Sequence, residues 1–271
     1  MTRKSGEPLV FAHRGSSASL PEHTLGAYLR AIEEGADGLE CDVRLTRDGH
    51  LVCLHDRRLE RTSDGRGLVS TKTLAQLEAL DFGANHPAGR GDGGGEEIIV
   101  DRARPGPARV LTLDRLLAAA RGAARPIRLL IETKHPTRYG EEVEQALVAA
   151  LRRAGLERPD PDGVHVTVMS FAYSAVRRIR RLAPEVPAVL LLEFLPPWHR
   201  SGKLPTGVHI AGPGVGVLRN HPRLAARLRE RGNDFYAWTV NTAEDLALVR
   251  DLGAAGVITD RPGFVLDQLG R

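Results

Sequence analysis

The sequence predicts an α/β protein, a TIM (β/α)8 barrel with a hairpin and an insertion after the second strand. Short Val/Ile/Leu-rich runs alternate with stretches of helical periodicity along the chain, which is the pattern of βαβ units and a parallel sheet. The alternation repeats eight times in 271 residues, close to the ~250 residues of one such barrel. Hydrophobic residues make up 42% of the chain but aromatics only 4%, so the core has to be built mainly from aliphatic side chains.

The expected strands are 9–13, 37–43, 127–133, 164–170, 187–193, 207–211, 235–240 and 256–259. Helices are expected over 24–35, 112–121, 141–155, 173–183, 221–231 and 242–252. Asn241 followed by Glu244 reads as an N-cap with a capping-box glutamate, opening the 242–252 helix. The alternation breaks after the second strand. The run "RLTRDGHLVCLHD" (44–56) leaves no room for a crossover helix, and Asp48-Gly49 is a hairpin turn signal. The strand is therefore expected to pass the barrel mouth, turn, and bring His55 back to that mouth. Residues 57–111 then form a cap-like insertion on a single barrel domain spanning 1–271. Its Gly/Pro-rich middle, 85–109, reads as a mobile loop.

The composition excludes several classes. No apolar run reaches the ~18 residues of a membrane span, and the N-terminus lacks the long apolar stretch of a signal peptide. The two cysteines, Cys41 and Cys53, fall inside expected strands rather than in a disulfide framework, which suits a cytoplasmic setting. The net charge is +4. The densest basic cluster, 176–184, fits the solvated face of a helix, so no nucleic-acid partner is expected. Oligomeric state is not legible.

Functional groups in such barrels collect at the C-terminal ends of the strands. The first strand ends in His13-Arg14-Gly15, the second carries Glu40 and Asp42, and the third ends in Glu132 with Lys134 two residues on. The i, i+2 spacing of Glu40 and Asp42 puts both carboxylates on one face, ~6–7 Å apart along the strand. Charges in a buried barrel strand are expensive unless they are used. Cys41, between them, points the other way, into packing. Three oxygen donors suit a hard divalent cation, Mg2+ or Ca2+. Arg14 and Lys134 add anion contacts, and Lys134 is one of only four lysines in an arginine-rich chain. Two histidines, His13 and His55, supply a base for a nucleophile and an acid for an alkoxide leaving group. These parts fit phosphodiester cleavage. The other histidines, at 23, 50, 86, 135, 165, 199, 209 and 221, lack such companions and read mostly as surface or structural.

The segments "AHRGSSASLPEHT", "GLECDVRLTRDGHLVCLHD", "RTSDGRG", "IETK", "WTVN" and "GVITDRP" resemble the glycerophosphodiester phosphodiesterase family. The resemblance implies a TIM barrel with an insertion. It implies His13 and His55 as the acid/base pair, Glu40, Asp42 and Glu132 as metal ligands, Arg14 and Lys134 as phosphate contacts, and Trp238 as a pocket-lining aromatic. Glu22 matches the glutamate of the family's PENT segment, while His23 stands where the family usually has asparagine. The implied reaction is metal-dependent hydrolysis of a small-molecule glycerophosphodiester to sn-glycerol 3-phosphate and an alcohol, through a cyclic phosphate. The alternatives are lysophospholipase D or phospholipase-C-like cleavage of lipids, or a non-catalytic phosphodiester-binding module.

Overall fold

The computed structural model describes residues 6–86, 107–158 and 163–271. Strands β1 (Leu9–His13), β2 (Gly38–Leu45), β3 (Leu51–Cys53), β4 (Ile127–Thr133), β5 (Val164–Ser170), β6 (Ala188–Leu192), β7 (Ile210–Pro213), β8 (Asp234–Ala237) and β9 (Gly256–Thr259) form one sheet. Its order is β1-β9-β8-β7-β6-β5-β4-β2-β3, and an additional β1–β2 pairing closes it. Eight strands run parallel around the barrel. The ninth, β3, pairs antiparallel with β2 as the return arm of the expected hairpin. At the tip Gly49 has φ +82° and its N–H donates to the Thr46 carbonyl.

The helices are α1 (Leu25–Glu33), α2 (Leu74–Glu78), α3 (Leu113–Arg121), α4 (Glu142–Arg153), α5 (Tyr173–Leu182), α6 (Val215–Asn220), α7 (Arg223–Glu230), α8 (Ala243–Asp251) and α9 (Pro262–Gln268). Strand alternation sorts side chains into two shells. Val10, Ala12, Leu39, Cys41, Val43, Leu129 and Ile131 face outward into the helix layer. Phe11, Leu130, Met169, Val189, Leu191 and Ile258 fill the barrel interior. The same parity sends His13, Glu40, Asp42 and Glu132 inward, above this apolar plug at the C-terminal rim. Cys41 is fully buried in the outer shell, as expected, and both cysteines are free thiols.

Some expectations are corrected. The 207–211 strand lies at Ile210–Pro213, and the 235–240 strand ends at Ala237. The 221–231 helix starts at Arg223 after Pro222, preceded by the separate short helix α6. The N-cap of α8 is Thr242, which accepts from the Asp245 N–H, rather than Asn241. Asn241 is diverted because its side chain binds Asp260 and Thr259. The helices α2 and α9 were not expected, and α2 owes its start to a Thr73/Gln76 capping box.

In the 57–111 insertion, Leu59, Val69, Leu77, Phe82 and Val110 pack on Val52 and Leu54. Most of the loop expected at 85–109 lies outside the described residues. The arginine-rich 176–184 segment is the outer face of α5, with Val176 and Ile179 buried beneath it. Among the described residues no helix is long and apolar enough to cross a membrane.

Candidate active site

Strand register assembles the site. His13 on β1 stands beside Glu40 on β2, and Asp42 stands beside Glu132 on β4. Glu40, Asp42 and Glu132 each offer an oxygen within 4.8 Å of the others, and all three are buried. Lys134 Nζ lies 2.8 Å from Glu132 and 3.3 Å from Asp42, and Arg14 Nε lies 3.2 Å from Asp42. Two cations therefore face three buried carboxylates, and Arg14 is shared with Glu22 at 3.1 Å.

The imbalance shows in the ionisation of the trio. Burial opposes the charge on Asp42, but His23, Lys134 and Arg14 outweigh it and hold this carboxyl well below the usual range. Burial and the Asp42 charge push Glu40 well above its ordinary range and Glu132 up to about 8. An all-oxygen donor set short of positive charge fits a hard divalent cation.

The two histidines are mounted alike. His13 Nδ1 is 2.6 Å from Asp260 Oδ1, and Asp260 is held in turn by Asn241 Nδ2 (2.6 Å) and Ser17 Oγ (3.0 Å). These contacts outweigh burial and bring Asp260 down to about 2. His55 Nδ1 is 2.7 Å from Asp56, which is bound by Arg61. Arg44, on β2, donates from Nε and Nη2 to the His55 carbonyl at 2.9 and 2.6 Å, so the strand that carries the carboxylates also places the second histidine. Burial, together with the nearby Arg14 and Lys134, lowers the His55 pKa. Each ring thus spends Nδ1 on a carboxylate and leaves Nε2 for the cavity.

That cavity, about 660 Å3, is lined by His13, Arg14, His55, Glu132 and Lys134 together with Phe171, Tyr173, Phe194, Trp198 and Trp238. Trp238 is fixed by Nε1–H donating to the Gly212 carbonyl at 2.6 Å and by an edge-on contact with Phe171.

The first loop is held by backbone geometry that few sequences allow. Gly15 has φ +86°, and a Cβ there would sit 2.6 Å from the Ala27 carbonyl carbon on α1. Only glycine lets the loop close on the helix.

All the residues expected at the site therefore converge on the C-terminal mouth. Residues 13–264 match the glycerophosphoryl diester phosphodiesterase family. The chain belongs to that family.

Among its relatives, a protein of Mycobacterium tuberculosis named probable glycerophosphodiester phosphodiesterase 1 is 47% identical over 260 residues, 96% of this chain and 91% of that one. A glycerophosphodiester phosphodiesterase of Caldanaerobacter subterraneus is 30% identical over 96% of each chain. A phosphodiesterase of Oleispira antarctica, solved with the product sn-glycerol-3-phosphate, shares the fold with a TM-score of 0.78 at 24% identity, over 97% of each chain. Like its relatives, this family member is a phosphoric diester hydrolase.

Sequence reasoning missed the partners that hold this phosphodiesterase's site together. Asp260 is the chief omission. It stands two residues beyond the inward-facing Ile258 of β9, so the rule that found Glu132 also points to it. Asn241, which reads as a helix cap in the sequence, instead binds Asp260. Arg61, the first residue of the "RTSDGRG" segment in the insertion, binds Glu22 and Asp56 and links the two histidine-bearing loops, contacts that the segment by itself does not reveal. His135 and His199 line the cavity, with His135 Nε2 bound to the fully buried Glu144 at 2.6 Å. His23, read among the surface or structural histidines, is buried against Asp42.

Proposed function

We propose that this phosphodiesterase cleaves glycerophosphodiesters to sn-glycerol 3-phosphate and an alcohol, with His13 as base and His55 as acid. The observation that carries the roles is the mounting of the two rings. Apart from His13, the side chains that bind Asp260 are the neutral donors Asn241 and Ser17, so its charge is left to stabilise the imidazolium that forms when His13 Nε2 takes a proton. Asp56 shares its charge with Arg61, so less of that charge is left to hold a proton on His55, which gives it up to a departing alkoxide. Arg14 and Lys134 bind the phosphoryl oxygens.

Glu40, Asp42 and Glu132 would hold a divalent cation, Mg2+ or Ca2+, which would supply Lewis-acid polarisation of the phosphate. His13 then takes the proton of the glycerol 2-hydroxyl, which is already tethered next to phosphorus and so attacks with a large effective-concentration advantage over water. His55 protonates the leaving alcohol. With the roles reversed, water opens the resulting cyclic 1,2-phosphate. A cytoplasmic setting belongs to the same reading and rests on the two buried free thiols.

The test is release of sn-glycerol 3-phosphate from glycerophosphocholine with added Mg2+ or Ca2+, before and after exhaustive chelation. Turnover that chelation abolishes and the ion restores is the expected result. No release with either ion, or full activity after chelation, overturns this reading.

One observation favours a second substrate class. Phe194 and Trp198, at the cavity rim, are 71% and 70% exposed. An apolar chain on the leaving alcohol or on glycerol would cover them, and assaying a lysophospholipid beside glycerophosphocholine decides between the two.

A further inference from the structure

Two non-glycine residues have left-handed backbone, Arg14 at φ +59° and His23 at φ +60°. They lie at the two ends of one loop and are tied by the His23 N–H donating to the Arg14 carbonyl at 3.0 Å. Such φ values are uncommon outside glycine, and held strain of this kind points to a constraint elsewhere. Both side chains converge on a single atom: Arg14 Nε lies 3.2 Å and His23 Nε2 2.9 Å from Asp42 Oδ2. Lys134 approaches the other oxygen, Oδ1, at 3.3 Å.

Hydrogen-bond accounting sets the His23 tautomer. An ionised Asp42 can only accept, so Nε2 carries the hydrogen and donates to it. With that hydrogen on Nε2, Nδ1 is left for the other side of the ring. The fully buried Tyr28 hydroxyl lies 2.8 Å from that Nδ1, and also 3.0 Å from the Glu40 carbonyl oxygen. That carbonyl already receives the Arg14 N–H at 3.1 Å. The carbonyl can accept from both, and it keeps Arg14 as a donor when the hydroxyl hydrogen turns to His23 Nδ1.

We propose that His23, with the Tyr28 hydroxyl behind it, is a positioning residue that fixes the rotation of the Asp42 carboxylate for a divalent cation. The chain Tyr28 O–H to His23 Nδ1, then His23 Nε2–H to Asp42 Oδ2, runs from α1 through the strained loop to β2. It leaves Asp42 able to present one orientation of its lone pairs toward Glu40 and Glu132. The proposal rests on the cation-binding reading above, and its test separates the two.

The experiment is calorimetric titration of Ca2+ and Mg2+ into the metal-free full-length protein and its variants, with stability followed by urea. His23→Ala should raise the cation Kd by about 10–100-fold, the usual cost of losing a partner that orients a ligand. His23→Asn keeps a donor on a shorter side chain and should recover part of the loss. Tyr28→Phe removes one oxygen from a filled site and should raise Kd about three- to tenfold, the worth of one hydrogen bond.

Leu228→Ala, in the core under α7, should lower stability and leave Kd unchanged, which separates positioning from general loosening. If His23→Ala does not fold, Tyr28→Phe decides. Unchanged Kd in folded Tyr28→Phe overturns the proposal, as does equal loss in Leu228→Ala. A wild-type protein that binds neither ion overturns the cation-binding reading and this proposal together.

Discussion

At the scale of single residues, the proposed division of roles between the two histidines can be read in leaving-group dependence. Loss of either ring should lower the rate on a glycerophosphodiester with an alkyl leaving group by about 10²–10⁴-fold. With a 4-nitrophenyl leaving group, which departs without a proton, His55→Ala should recover most of its rate and His13→Ala should not. Equal defects on both substrates would dissolve the assignment of base and acid. Asp260 gives a second reading at this scale. Its folded pKa of about 2 lies below the ordinary 3.8. It therefore contributes stability that is complete above about pH 4 and is lost as pH falls through 2. In Asp260→Asn that part of the acid limb should flatten, in urea midpoints followed from pH 5 to pH 2, while kcat falls with the substrate KM little changed.

Elements carry the site through their parity and through what packs beneath it. Phe11 is the largest side chain of the barrel plug, and its ring is accommodated by glycines on both neighbouring strands. A Cβ on Gly38 of β2 would sit 2.6 Å from Phe11 Cδ1 and 2.6 Å from the Arg128 carbonyl oxygen. On Gly256 of β9 it would sit 2.8 Å from the Tyr236 ring and 2.9 Å from the Phe11 ring. Gly38→Ala and Gly256→Ala should each cost about 1–3 kcal/mol by overpacking, in urea unfolding. The obstructions differ, so the rescue should differ: Phe11→Leu relieves Gly256→Ala, where only side chains collide, more than Gly38→Ala, where a backbone oxygen stands in the way. Equal rescue would show that β2 shifts as a unit. The helices matter less to the chemistry but show how an element is set by its neighbours. Thr242 caps α8 because Asn241 is already engaged by Asp260.

The whole molecule brings eight strand ends to one mouth, and the proposed route uses that convergence to hold the glycerol 2-hydroxyl against phosphorus. A 2-deoxy analogue of the substrate keeps the phosphate, the charges and the leaving alcohol but lacks the nucleophile. It should bind as a competitive inhibitor and turn over very slowly, while glycerol 1,2-cyclic phosphate should be hydrolysed. Cleavage of the deoxy compound at the ordinary rate would make water the direct nucleophile.

The barrel, the hairpin after β2, the inward carboxylates Glu40, Asp42 and Glu132, and the arrival of His13 and His55 at one mouth are all legible in the amino-acid order. Strand parity and strand ends are local properties, and residues two apart on a buried strand must share a face wherever the strand goes. What holds those groups in place follows from the folded chain alone. Asp260 reaches His13 across 247 positions of chain, Arg61 binds Glu22 from an insertion, and His23 meets Asp42 through a left-handed turn. None of these contacts has a period or a spacing. Each exists because closing the sheet between β1 and β9 and folding 57–86 onto β3 bring distant charges within hydrogen-bond reach, and for His23 and Asp42 burial makes a partner necessary.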